Sequence, residues 1–382
     1  MRIEVRLPKV KPDEYKEPEQ CANEGCEGKH FKAHGVKGER KAIRDLKYQE
    51  VKSYRWRCLK CDGRFRIYPS GVSRAQQSDR LKAITVLMYV LGLSYGAVSD
   101  VMGALGCEVS KTTVYYNVQE AGKKARKRQR KTVKSGGKRP VIGADGTYVK
   151  IKGEQVGIEV VVDDESGELL GIDVIVSENG EEVLEVIRDV VEEVDAEVMV
   201  SDDHGAYKEV AIELHLEHQI CRSHVKRNVE ELVKSIGEQL KKKEPLPEGV
   251  DSSPQRLRED LERIHQLVSQ RPEDASDQLE KLYHRYKAAP MPKKGQRHTV
   301  WYRLRMLVTR LWDRWLNLTL DQRRDDLDGT NNSCERLIGW WIKERYRSMR
   351  GYKRPTSVKN VVSLTARMGI RSGTYDMSEL FV

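Results

Sequence analysis

From Ser78 to Arg130 the apolar positions fall at helical steps. Leu81, Ile84, Leu87, Met88 and Leu91 recur every three or four residues, which predicts a helix that Gly92 ends. Val98, Val101, Met102 and Leu105 predict a second, short helix closed by Gly106. Ser110 then suits the N-cap of a third, running on from Lys111. Ser135-Gly136-Gly137-Lys138-Arg139-Pro140 reads as a flexible basic boundary, and beyond it the period changes. Val141–Ile151 predicts a buried strand that carries Asp145 where a core residue belongs, with a short turn after the acid and then more strand. A turn at Gly153, the run Gly157–Val162, a second turn and the run Leu169–Val176 complete an antiparallel meander. Glu181–Val194 is amphipathic, Ala196–Ser201 is an apolar strand ending at Asp202, and a helix carrying Tyr207, Val210, Ala211 and Leu214 follows. A short segment, His218–Cys221, leads into a long helix from Ser223 to about Lys242. After a polar linker come charged helices at Pro254–Ser269 and Asp274–Lys287, then a helix with Trp301, Leu304, Leu307, Leu311, Trp312 and Trp315 on related faces. Those Trp residues read first as core, with stacking on an exposed base as the alternative.

Strand-strand-strand-helix-strand-helix is the element order of a ribonuclease H-like fold. The expected fold class is therefore α/β: a ribonuclease H-like mixed sheet flanked by helices, with an all-α insertion. A zinc ribbon and a helix-turn-helix domain are expected ahead of it. The expected divisions are 1–75 for the ribbon, 76–134 for the helix-turn-helix, 135–242 for the first part of the core, 243–328 for the insertion and 329–382 for the last part.

Charge sharpens this layout. The net +10 is strongly segregated. Residues 1–140 hold 32 Lys and Arg against 15 Asp and Glu, residues 141–329 hold 27 against 40, and residues 330–382 hold 10 against 4. Basic ends around an acidic middle suggest ends that grip a polyanion and a middle that does metal chemistry. The longest uncharged run, Ala83–Ser99, is too short and too broken to span a bilayer, and no signal-peptide core opens the chain, so a cytoplasmic, nucleoid-associated protein is expected.

Four of the seven cysteines stand as Cys21-x4-Cys26 and Cys58-x2-Cys61, two knuckles that supply the thiolates of a closed structural zinc site. His30 and His34 offer alternative ligands for it. The helices after it fit a helix-turn-helix, with Lys111, Thr112, Thr113, Tyr116 and Asn117 as groove readers. Periodicity alone fits an ordinary three-helix bundle as well. The run Lys123–Lys131, with seven basic residues and no acid, favours phosphate contact through Lys123, Lys124 and Arg126. Arg350 and Lys353, in a stretch that interleaves bases and aromatics, are further candidates.

Asp145, Asp202 and Glu335 each stand in apolar surroundings, where a charge is costly unless paired or bound to metal. In-line exchange of a phosphodiester needs charge neutralised on two oxygens, which two hard cations about 3.5–4 Å apart can do. Hard cations take oxygen ligands, so carboxylates suit them. Singly these acids prove little, and a turn-capping role for Asp145 stays open. Asn331 or Asn332 suits the cap of a helix on which Glu335 faces inward.

These residues resemble the DDE transposases of prokaryotic insertion sequences, and Cys221-x2-His224 resembles the element of the Mutator-like superfamily. The resemblance spans nearly the whole chain. It implies that Asp145, Asp202 and Glu335 hold two magnesium or manganese ions. It also implies a nick at the element's end, followed by attack of the freed 3′-OH on target DNA. Asp202 is preferred to its neighbour Asp203 because the family places the acid directly after Ser or Thr. His224 lies near the active site in the family; a structural helix start is the plainer alternative for Cys221 and His224. Two residues alone do not make a further zinc site. Transposon ends and target DNA are the expected partners, with a homodimer or larger assembly on DNA. A catalytically inactive DNA-binding regulator and a nuclease without strand transfer are the competing functions.

Overall fold

The computed structural model describes residues 4–73, 76–176, 180–241, 253–349, 351–369 and 374–381. The chain forms two compact units. One comprises Met1–Ser135, Tyr148–Val156 and Leu337–Val382; the other comprises Gly136–Thr147 and Gly157–Arg336. Among the described residues no helix is long and apolar enough to cross a membrane.

The first unit opens with β1 (Glu4–Arg6), β2 (Phe31–Ala33), β3 (Glu39–Arg44), β4 (Glu50–Cys58), β5 (Arg64–Ile67) and β6 (Gln76–Gln77). The long β4 is central, pairing antiparallel with β2, β3 and β5. Three helices follow: α1 (Asp79–Val90), α2 (Tyr95–Ala104) and α3 (Lys111–Ser135). Each starts where a serine hydroxyl accepts an orphan N–H: Ser78 from Leu81 at 3.0 Å, Ser94 from Ala97 at 3.1 Å and Ser110 from Thr113 at 3.2 Å. Gly92 and Gly106, at φ +112° and +75°, carry the chain out of α1 and α2. The buried face of α1 differs from the one expected: Leu81, Ala83, Thr85, Val86 and Tyr89 are buried, while Leu91 is exposed. Tyr89 draws the helix round by stacking on Tyr95 of α2, with centroids 4.5 Å apart.

The second unit is a mixed α/β layer. After β7 (Val141–Ile151) and β8 (Glu154–Asp163) come β9 (Leu169–Ile175), α4 (Gly180–Val194), β10 (Val198–Ser201), α5 (Gly205–Glu213) and β11 (Glu217–Ile220). Lys152 and Gly153, both at positive φ, make the two-residue turn from β7 to β8. The sheet order is β11-β10-β7-β8-β9. β10 pairs parallel with β7 and β11, and β9 pairs antiparallel with β8. Two differences from the sequence reading bear on the site. β7 runs through Asp145, Gly146 and Thr147 with no turn, so Asp145 is not a turn cap. His218–Cys221 is mostly a fifth strand, β11, whose period is hidden because Glu217 is exposed and His218, Gln219 and Ile220 are all buried.

The remaining helices of this unit are α6 (Arg222–Leu240), α7 (Pro254–Gln270), α8 (Ala275–Tyr286), α9 (Val300–Leu318) and α10 (Asn332–Leu337). One apolar core runs through α6, α7, α8 and α9, from Val225, Val229 and Ile236 to Leu257, Leu279, Trp301, Leu304, Leu311 and Trp315. Trp312 packs against it and stacks on Tyr283 at 5.4 Å. The tryptophans of α9 therefore serve the core, as the helical spacing expected.

The first unit resumes with a π-helix at Ile338–Lys343, then α11 (Glu344–Arg347), α12 (Pro355–Gly369) and β12 (Thr374–Asp376), which pairs parallel with β1. α12 lies so close to α3 that a Cβ on Gly122 would meet the Asn360 carbonyl oxygen at 2.5 Å. Arg345 is buried with its guanidinium 4.0 Å from the Tyr89 ring centroid, a cation–π contact that ties α11 to α1.

Candidate active site

The three acids stand on β7, just after β10 and on α10; among the described residues Glu335 groups within 4.8 Å with Cys221 and His224, while Asp145 feels its charge and that of Asp202. Asp145 sits half-buried in mid-strand on β7, between Ala144, which is fully buried, and Gly146. Asp202 leaves the end of β10, the strand paired beside β7, and its carboxylate accepts the N–H of His204 at 3.0 Å. Burial, then the charge of Asp202 and, more weakly, that of Glu335 lift the Asp145 carboxyl to about 7 against the opposing pull of His224. The acids chosen from the sequence thus feel one another's charge.

Asp203 has a different environment. Arg310 Nε, on α9, donates to Asp203 Oδ2 at 2.7 Å, and Arg314 pairs with the other carboxylate oxygen. Asp203 is committed to the helical insertion, whereas Asp202 is the residue coupled to Asp145.

Glu335 reaches the site because the start of α10 is fastened to the sheet at three points. The buried Asn331 donates its side-chain amide to the Ala144 carbonyl at 2.8 Å, across 187 residues of sequence. Ser333 Oγ donates to the Asp164 carbonyl at 2.7 Å, and the buried Cys334 thiol lies 3.6 Å from the Val160 carbonyl. Asn331 does not cap α10 with its side chain as expected: its amide nitrogen is spent on β7, and its Oδ1 is buried with no hydrogen-bond partner among the described residues. Its main-chain carbonyl instead accepts from Glu335 N at 3.0 Å.

The Glu335 carboxylate faces the start of α6. Its Oε1 lies 3.4 Å from His224 Nδ1 and 3.9 Å from Cys221 Sγ. The Cys221 thiol beside His224, with the charges of Cys221, Glu335 and Asp145, raises the imidazole to about 9 against the cost of burial. Burial works against ionisation of Cys221, yet His224 and the Asn331 N–H draw its thiol below the ordinary value.

A residue missed in the sequence lies beneath these acids. Glu159, fully buried on β8, accepts the Tyr207 hydroxyl on both carboxylate oxygens at 3.1 Å. It carried the same signal as Asp145: one acid inside an apolar strand. His218, on β11, is also buried, with Nε2 2.8 Å from Ser201 Oγ; burial and, less strongly, Lys208 lower its imidazole to about 4.

In the first unit Cys21, Cys26, Cys58 and Cys61 bring their four sulfurs within 4.8 Å of one another. Cys21 and Cys61 are 3.7 Å apart, and Cys26 and Cys58 are 3.8 Å apart. A tetrahedral site with Zn–S bonds of about 2.3 Å has edges of about 3.8 Å. Gly28 N, Lys60 N and Asn23 Nδ2 each lie 3.4 Å from a sulfur, as donors to thiolates. A Cβ on Gly28 would strike Cys58 Sγ at 2.5 Å. His30 and His34 are not in this group.

The expected DNA readers divide. Lys111, Thr112, Tyr116 and Lys123 are exposed on α3, and Thr113, Lys124 and Arg126 are half-exposed. Asn117 is a correction: it is 2% exposed and spends its amide on Gln77 and Thr85, so it holds α3 to its own unit and cannot read a groove. Lys353 is exposed, and Arg350 lies outside the described residues.

Comparison with known proteins bears on the second unit above all. Residues 74–348 match the family described as the IS66 family of transposases. That match does not support the Mutator-like assignment: Cys221-x2-His224, which suggested it, is too short to separate one group from another. No curated protein matches the chain. Among solved structures, the HTLV-2 integrase catalytic core domain in complex with magnesium (dimeric form) is similar at 19% identity, over 29% of this chain and 78% of that one, with a TM-score of 0.20. The catalytic core domain of BIV integrase is similar at 16% identity, over 54% of this chain and 99% of that one, with a TM-score of 0.19. Scores this low carry no structural argument.

Proposed function

The chain belongs to the IS66 transposase family, DDE transposases of insertion sequences, and from that premise we propose that Asp145, Asp202 and Glu335 form its catalytic, metal-binding triad. The activity is cleavage of DNA at the ends of its insertion sequence, followed by transfer of the freed 3′-OH into target DNA. The observation that carries this reading is the Asn331 bridge, which fastens the helix bearing Glu335 to the residue next to Asp145.

The donor set fits a hard divalent cation. All three side chains offer oxygen, they are half-buried, and gathering like charges there is costly without a cation among them. Magnesium or manganese bound there supplies neutralisation of the attacking and leaving oxygens in an in-line displacement. The protein's part is to place its acids. β7 and β10, paired side by side, carry Asp145 and Asp202, and the start of α10, bonded to β7, carries Glu335 within reach of the charge of Asp145. His224 is placed to orient the Glu335 carboxylate. The Arg310 and Arg314 pair fixes the loop after Asp202 by holding Asp203.

In this reading the second unit is a ribonuclease H-like core with an all-helical insertion. The four cysteines hold a structural zinc ion in a ribbon. The three helices after it act as a helix-turn-helix that presents Lys111, Thr112, Thr113 and Tyr116 to a terminal sequence, with Lys123, Lys124, Arg126, Arg350 and Lys353 on phosphates. Two ends must be joined, so the acting form is a homodimer or larger.

The test uses the full chain, duplexes taken from the borders of its own element and a supercoiled target plasmid. With magnesium, nicked ends and joined products are expected. Ends cut but never joined would leave a nuclease. Ends bound and not cut would leave a DNA-binding regulator.

A further inference from the structure

The start of α6 and the start of α10 bring together a set of donors unlike the oxygen triad. Cys221 Sγ, an imidazole nitrogen of His224 and a Glu335 carboxylate oxygen all lie within 4.8 Å of one another. Glu335 Oε1 is 3.4 Å from the nitrogen and 3.9 Å from the sulfur. In a tetrahedral zinc site with bonds of about 2.0–2.3 Å, the O–N and O–S edges come to about 3.3 and 3.5 Å. On the two edges that Glu335 makes, a contraction of tenths of an ångström closes the cluster on an ion.

The donors are also held in place. Cys221 is fully buried; its N–H donates to the Ser201 carbonyl at 2.7 Å, and its sulfur accepts the Asn331 N–H at 3.4 Å. Among the described residues His224 Nδ1 is buried with no hydrogen bond of good geometry, so its lone pair is available once the ring is neutral. A mixed sulfur, nitrogen and oxygen set selects borderline and soft ions such as zinc, cobalt or cadmium, whereas magnesium wants oxygen alone.

We propose that Cys221, His224 and Glu335 form a second metal site, selective for zinc-class ions, that competes with the magnesium site for the Glu335 carboxylate. On binding, the Cys221 S–H bond and the imidazolium Nδ1–H bond of His224 both break, the two protons leave to solvent, and sulfur, imidazole nitrogen and carboxylate oxygen bond the ion. A fourth position stays open to water. A filled site holds Glu335 on the α6 side, and the hard-metal triad is left with two acids. The binding half stands on geometry alone; the competition half rests on the function proposed above.

The experiment takes the full chain loaded with one equivalent of zinc, which fills the four-cysteine cluster, and titrates it with cobalt. Wild type is expected to take one further equivalent with thiolate-to-cobalt charge-transfer absorption. Cys221→Ser should lose that absorption, and His224→Ala should bind about 10–100-fold more weakly. Circular dichroism checks that both variants fold, and His224→Ala keeps the thiol should Cys221→Ser fail to fold. No further equivalent, or equal uptake by all three proteins, overturns the site. In a second arm, zinc is added to magnesium-supported cleavage. Half-inhibition should need at least about tenfold more zinc in His224→Ala, scaled to its own activity without zinc. A cobalt site with zinc-insensitive cleavage overturns the competition alone. Absence of cleavage at any metal concentration indicts the proposed function and leaves the cobalt result to decide the site.

Discussion

The four-cysteine cluster and the carboxylate cluster would both hold divalent ions, yet they are built in opposite ways. The sulfur ligands come as two pairs, each within six residues of sequence, and three N–H groups aimed at sulfur complete the knuckles. With all four positions taken by protein, such a site has no room for chemistry and its metal belongs to folding. The proposed oxygen ligands come from two strands and a helix, fastened by the Asn331 bridge across 187 residues. Burial, with the charges of Asp202 and Glu335, raises the Asp145 carboxyl to about 7, so the fold bears a cost at this place. A structural site stabilises the chain that makes it; a catalytic one must be stabilised by its surroundings.

The largest expected effect tests the first half of that contrast. Cys58→Ser should abolish zinc binding and the cooperative melting of the first strands, since structural zinc contributes on the order of 10 kcal/mol in small zinc domains. Metal analysis and thermal melting would show it, and retained zinc with an unchanged melt would break the comparison. The opposite pattern is expected of Asp145→Asn: cleavage should fall by about 10³-fold or more while melting stays the same or rises, because a like charge is removed.

A third effect depends on pH. The His218 imidazole is held near 4, below its ordinary value of about 6.5. Between these values the unfolded chain takes up a proton that the folded chain refuses, so stability is full above pH 6.5 and declines as pH falls toward 4. The loss is on the order of 3 kcal/mol, and His218→Gln should flatten this part of the pH–stability curve. Smaller again is the contrast between neighbouring acids. Asp203→Asn should cost roughly 1–3 kcal/mol by leaving Arg310 and Arg314 without their partner, and should lower cleavage far less than the loss of Asp202 does. Asp202→Asn should keep stability and lose cleavage. The smallest effect is expected on α3: Tyr116→Ala should leave melting unchanged and weaken end binding by about tenfold, as measured by gel shift.

The same contrast explains what could be read in advance. Cysteine spacing, the Ser110 cap of α3 and the lone acid of β7 are local signals, and each lies where the sequence put it. Long-range contacts were hidden. Asn331 looked like a helix cap because Asn favours caps; only the folded chain reveals the Ala144 carbonyl waiting for its amide. Asn117 looked like a groove reader because it follows Tyr116 on a basic helix, but one residue along a helix turns the side chain by about 100°, here onto Gln77 and Thr85. β11 hid because buried polar residues, His218 and Gln219, stand where a strand pattern wants apolar ones. The third ligand that Cys221 and His224 lacked in sequence is Glu335.

The central claim is that Asp145, Asp202 and Glu335 converge on one hard-metal site, and manganese binding tests it most directly. Titration of the zinc-loaded full chain with manganese, followed by electron paramagnetic resonance of the free ion, should show binding in wild type. Asp145→Asn, Asp202→Asn and Glu335→Gln should each weaken that binding. Three folded variants that take up manganese as wild type does would contradict the account.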